Sequence, residues 1–193
     1  MTYAHKQALN TQFEPPFTLV PHLNISAHHC LQALDIIFNN VSWQLINFYH
    51  DIQDNSSLKA LLDLDIDALM PTLIIGNFNT HSLSWSPPDA THSSWARKVE
   101  EWAAKNLLTL SNTPGEVTHK GADHELDLVI DLAWYNEVVV QANMFTNLKI
   151  DWEGSLSSDH VLLQVSAFPG PTCHPPPSDA NLGFMIDPDL KGD

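Results

Sequence analysis

Apolar positions recur along the chain in two rhythms, and these delimit its elements. "CLQALDIIF" (30–38) and "WQLINFYH" (43–50) are short apolar runs on either side of the polar "NNVS" (39–42). That arrangement predicts a hairpin over 30–50, with the first run too short for periodicity alone to separate strand from helix. "SSLKALLDLDIDAL" (56–69) places Leu58, Leu61, Leu62 and Leu69 near helical spacing, with Ser56 or Ser57 available as a cap. "PTLIIG" (71–76) reads as a buried strand. "SSWARKVEEWAAKNLLTL" (93–110) is the clearest helix. Trp95, Val99, Trp102, Ala103 and Leu107 share one face, while Arg97, Lys98, Glu100 and Glu101 fall off it. The Trp pair therefore reads as packed core.

A Pro-Gly loop (112–121) precedes strands expected at 125–135 and 137–145. A polar turn at 157 then leads into a last strand ending near 168. Residues 1–25, punctuated by Pro15, Pro16 and Pro21, read as an irregular or edge segment. From Pro169 the chain is rich in Pro, Ser and Asp and has little to bury, so 169–193 is expected to be a disordered tail or linker. That leaves 26–168 as one domain, without internal repeats. Strands alternating with helices suit a layered sheet covered by helices.

Composition narrows the partners. At 193 residues the chain suits a single domain, and 44% apolar content with six Trp and eight Phe argues for a packed core. Net charge is −15, with only eight Lys and Arg. Affinity for a phosphate backbone comes from those cations, so the balance weighs against nucleic acid unless a metal mediates the contact. The plainer reading of the acidity is solubility. Cys30 and Cys173 lie far apart and read as two free thiols in a reducing compartment. "MTYAHKQALNTQF" has no apolar signal-peptide core, and no apolar run approaches the roughly 18 residues of a membrane span. A soluble intracellular protein, nuclear or cytoplasmic, is expected, with no membrane partner.

Candidate chemistry lies in four polar clusters at strand ends or turns: Asn77-Phe78-Asn79-Thr80-His81, Thr118-His119, Asp131, and Ser157-Ser158-Asp159-His160. An Asp-oriented His, a second Asp and a positioned Asn make a workable kit for attack on a phosphodiester. Each residue taken singly has a structural reading that comes first. Asn79 suits a turn, Asp131 a cap or buried carboxylate, and Asp159-His160 a solvated turn.

In order, "LIIGNFNTHSLSWSPPD", "TPGEVTHKG", "VIDLAW" and "DWEGSLSSDHVLL" resemble the endonuclease/exonuclease/phosphatase superfamily. The likeness runs from about residue 43 to 167 and is closest to the endonuclease-like domains that accompany fungal LINE-type retrotransposon reverse transcriptases. "LINFYHD" and "SSWARKVEEWAAKNLLTL" share it. The resemblance implies a four-layered α/β sandwich of two packed, mainly antiparallel sheets flanked by helices, and a Mg²⁺- or Mn²⁺-dependent phosphodiesterase acting on DNA. By the same resemblance, Asn77 replaces the family Asp that activates water, and Asn79 contacts the scissile phosphate. Thr118 is the phosphate-side hydroxyl, Asp131 orients the catalytic His160, and Asp159 lies on the metal side.

Two departures from the family follow. A carboxamide at 77 keeps the shape of Asp but cannot accept a proton from water. General-base catalysis is worth about 10²–10⁴ in rate, so the loss is of that order. The stretch before residue 43 is also too short for the family's early half, which carries an Asn and a metal-binding Glu. Glu14, in "FEPPF", is the single Glu ahead of residue 100. The sandwich is therefore expected to be incomplete, with part of its inter-sheet core exposed. Three functions fit: an endonuclease-like hydrolase of reduced activity, a catalytically dead retrotransposon-derived fragment or binding module needing no cofactor, and, ranked last, a phosphatase for a small phosphoester.

Overall fold

Period-two side-chain alternation builds the centre of the molecule. The computed structural model describes residues 17–22, 25, 28–38, 41–88, 90–121, 126–141, 145–156 and 158–167. Strands β1 (Thr18–Pro21), β2 (Leu31–Phe38), β3 (Val41–Tyr49), β4 (Thr72–Asn77), β5 (Leu108–Leu110) and β6 (Asp131–Asn136) form one sheet in the order β1-β2-β3-β4-β6-β5. All pairs are antiparallel except β3–β4, which is parallel with Phe48 opposite Gly76. On β3, Ile46 and Phe48 enter one core cluster while Trp43 and Leu45 enter another; on β4, Ile74 and Leu73 divide likewise. Both faces of these strands are covered, which explains their unbroken apolar runs.

Helices cover the first face. Leu58 and Leu61 of α1 (Ser56–Leu62) and Ala96, Val99, Trp102 and Ala103 of α2 (Ser94–Lys105) pack on Ile46, Phe48, Ile74 and Leu132. On the other face, Leu148 of β7 (Phe145–Asp151) and Val165 of β8 (Leu162–Ala167), an antiparallel pair, pack with Ile36, Trp43, Leu73 and Ala133. The result is helices on a six-stranded sheet on a two-stranded sheet, the expected α/β sandwich with two packed, mainly antiparallel sheets.

Several boundaries differ from the sequence reading, each for a tertiary reason. The expected helix 56–69 stops at Leu62, and its N-cap is Asn55, which makes no side-chain cap bond. Asp54 instead accepts from the Ser56 N–H at 2.9 Å. Beyond the helix, the Leu64 carbonyl accepts from Trp102 Nε1 at 2.9 Å, and the Ile66 N–H donates to Asn106 Oδ1 at 2.9 Å. Those bonds strap the segment to α2, and Leu69 stays exposed. The helix expected over 93–110 ends at Lys105, because Leu107 takes a left-handed φ of 54° and reverses the chain into β5. Leu107 is exposed and Leu108 takes the buried place.

The strand expected at 125–135 begins at Asp131, with Leu128 making an isolated bridge to His119. The strand expected at 137–145 is helix α3 (Glu137–Gln141) followed by β7. One turn of helix buries Val139 in the second core cluster, which overrides the strand preference of three valines. In the expected turn 39–42, Val41 and Ser42 already belong to β3; 39–40 lie outside the described residues. Edge strand β1 falls within 1–25, so the sheet begins ahead of residue 26. Residues 1–16 and the tail from 168, with Cys173, are outside the description. Cys30 is a buried free thiol. Among the described residues no helix is long and apolar enough to cross a membrane.

Candidate active site

Three strand ends meet at one rim. β3 and β4 run parallel, so both finish there, and antiparallel β6 begins there. Their close approach demands Gly76: its φ is 148°, and a Cβ would lie 1.9 Å from the Phe48 carbonyl oxygen. The chain then delivers "NFN". Phe78, fully buried, anchors this turn edge-on against Phe48 with ring centroids 5.0 Å apart. Asn77 is the register partner of Asp131 across β4–β6. Its Oδ1 is buried and has no hydrogen-bond partner. Asn79 adopts φ 46°, a conformation Asn tolerates well, and donates its Nδ2 to the His50 carbonyl at 2.8 Å.

Asp131 and His160 join directly. The imidazole Nδ1 is 3.1 Å from Oδ1 and 3.0 Å from Oδ2 of the carboxylate. This hydrogen bond raises the His160 pKa; burial opposes it, and the charges of Asp131 and Asp159 add to it. Asp159 is largely exposed. Burial would raise its pKa, but its own backbone N–H and the His160 and His119 charges outweigh that and lower it. His119 packs edge-on against His160, ring centroids 4.7 Å apart, and its Nε2 lies 3.5 Å from Asp159 Oδ2.

Backbone pairing fixes this group. His119 bridges both Leu128 and His160; the Lys120 N–H donates to the Asp159 carbonyl at 2.8 Å, and the Val161 N–H to the Thr118 carbonyl at 2.9 Å. Thr118 is fully buried, and its Oγ1 accepts the N–H groups of Ile130 (3.0 Å) and Asp131 (2.9 Å). Asp131, Asp159, His160 and Thr118 thus come together, with Asn77 on the adjoining strand. One N–H of the Asn79 amide is taken by the His50 carbonyl.

Sequence reasoning placed His119 in a candidate cluster without giving it a role, and did not single out His50 or Glu100 for this rim. His119 gave only its place after Thr118 as a signal. His50 is buried beside β4, with Nδ1 2.9 Å from Ser57 Oγ, and burial lowers its pKa despite Asp51 and Asp54. Burial lowers that of His81 too. Glu100 accepts from the hydroxyls of Ser82 and Ser84, the latter at 2.6 Å, so α2 holds the loop that follows Asn79.

Among the described residues, the rim offers an oxygen-ligated ion such as Mg²⁺ a single carboxylate not already engaged by His160, that of Asp159. Mg²⁺ requires near-octahedral oxygen donors. Among the described residues, two groups place three ligand-type atoms within 4.8 Å of one another: His28-His29-Cys30 and His119-Asp159-His160. Neither has more than one carboxylate, and both oxygens of Asp131 face His160.

Comparison with known proteins agrees with this architecture. The endonuclease domain of TRAS1, a telomere-specific non-LTR retrotransposon, superposes with a TM-score of 0.64 at 14% identity, over 77% of this chain and 66% of that one. The Xenopus laevis APE2 catalytic domain gives 0.51 at 12% identity, over 78% and 60%. The chain spans less than two thirds of the length of either. No curated protein shows a significant sequence match to it. A family model described as endonuclease-reverse transcriptase matches residues 43–164. The chain belongs to that family, as a LINE-endonuclease-like domain of the endonuclease/exonuclease/phosphatase superfamily.

Proposed function

We propose that this domain is an attenuated endonuclease-type phosphodiesterase that engages a DNA phosphodiester at the rim formed by Asn77, Asp131, Asp159 and His160. The observation that carries the reading is the Asp131–His160 couple, retained beside a carboxamide at the register position 77. With Nδ1 donating to Asp131, the imidazole is held in one orientation and Nε2 is left for a phosphoryl oxygen. Asn77 can hydrogen-bond a water or a phosphate but cannot take a proton, which removes about 10²–10⁴ in rate. Thr118 supports the site from beneath, through the Asp131 backbone. Asn79 supports it by tying the β4 turn to β3.

Incubation of the purified chain with supercoiled plasmid and Mn²⁺ or Mg²⁺ tests this reading. Slow nicking is expected, and His160→Ala should abolish it. Nicking unchanged by His160→Ala would reject these residues as the site. A second reading, a catalytically dead binding module, is favoured by the same carboxamide and the −15 net charge. It requires no nicking by wild type under any divalent cation.

A further inference from the structure

We propose that His119, Asp159 and His160 form a binding site for a borderline transition-metal dication, with Zn²⁺ as the reference ion, in preference to Mg²⁺. Ligand-type atoms of the three side chains lie within 4.8 Å of one another. His119 Nε2 and Asp159 Oδ2 are 3.5 Å apart, too long for a strong hydrogen bond. It is close to the separation of about 3.3–3.5 Å between two donors on a tetrahedral ion with bonds of about 2.0–2.1 Å. His160 already has the support that metal-ligating imidazoles use: Nδ1 is tied to a carboxylate, Asp131, and Nε2 is the remaining donor. The antiparallel bridge between His119 and His160 holds the ligands on paired backbone, so little ordering is needed when an ion enters.

Donor chemistry selects the ion. Two imidazoles and one carboxylate suit Zn²⁺, Co²⁺ or Ni²⁺ and suit Mg²⁺ poorly. Three protein donors are the count of an exchangeable site and not of a sealed structural one. His119 Nδ1 is buried without a partner, so this ligand lacks the outer support His160 has, and affinity is set below that of a fully buttressed site. The other candidate group is less available, because both ring nitrogens of His28 are engaged. Nδ1 accepts the Cys30 N–H at 3.2 Å, and Nε2 lies 3.1 Å from Ser56 Oγ. Binding at the rim does not depend on the domain hydrolysing anything.

Titration of the full chain with Co²⁺, followed by visible ligand-field absorption, and with Zn²⁺, followed by the imidazole NMR signals, provides the test. One equivalent should bind, shift the His119 and His160 rings and resist a large excess of Mg²⁺. Asp159→Asn, at an exposed position, and His119→Gln should each weaken binding by at least tenfold, His28→Gln should not, and Asp131→Asn should weaken it by about 10–100-fold. Displacement by Mg²⁺, shifts confined to other histidines, or loss of binding in His28→Gln would overturn the proposal. Should His119→Gln fail to fold, the wild-type ring signals decide. Failure of plasmid nicking alone would count against the hydrolase reading and leave this one standing.

Discussion

Placing a carboxylate at residue 77 is expected to destabilise the domain. Asn77 and Asp131 are directly opposite on antiparallel strands, so their side chains share a face, and paired Cα atoms in such a ladder lie about 4.5–5.5 Å apart. Two carboxylates about 5 Å apart repel by about 3 kcal/mol at an effective dielectric of about 20. A positive charge on His160, bound to Asp131, offsets part of this. The buried Oδ1 of Asn77 has no donor waiting for it, so a charged oxygen there gains nothing locally. Asn77→Asp should therefore lose about 1–3 kcal/mol at neutral pH. Repulsion and burial both raise the pKa of the new carboxyl in the folded state, so the deficit shrinks as pH falls and it takes up a proton. Urea denaturation of wild type and variant at pH 7 and pH 4.5, with and without Mn²⁺, reads this directly. Equal stability at pH 7 without added cation would refute the reasoning. In the plasmid assay the same variant should gain little, since among the described residues of the rim only Asp159 would join the new carboxylate as a free oxygen donor; vigorous Mg²⁺-dependent cleavage would overturn that.

Two further outcomes can be measured with the same apparatus. Thr118→Val removes the acceptor for two buried backbone N–H groups and should cost about 2–4 kcal/mol, while Thr118→Ser keeps the bonds; equal denaturation midpoints for Val and Ser would refute the role. Burial lowers the pKa of His50, so the unfolded chain binds the extra proton first: its contribution is complete above about pH 6.5 and is lost as pH falls toward the lowered folded value. His50→Gln should flatten the stability profile in that window, and an unchanged acid limb would assign it to other groups, His81 among them.

What the letters disclosed was mostly what local chemistry dictates. The buried strands β2, β3 and β4 were readable because both of their faces are covered, and α2 because one of its faces is. "GNFN" was readable as a strand end, since Gly76 admits the Phe48 carbonyl and Phe78 plugs the core. Residues 64–66 were read as helix because their strap to Trp102 and Asn106 spans about forty positions. The helical turn at 137–141 contradicts the preference of its valines and answers only to the space beneath Val139. At the rim, the residue types drew attention to Asp131, His160 and the Thr118-His119 pair, but the pairing of His119 with His160 became visible only through the bridge that brings two distant segments together.

Thr118 bears on how a polar residue buried beneath such a rim is to be interpreted. A single hydroxyl carries the backbone from which Asp131 hangs, so the position serves folding before it serves any reaction. A domain of this fold that cut nothing would still lose stability on replacing it, so a threonine here reports on the scaffold and says nothing about a working blade.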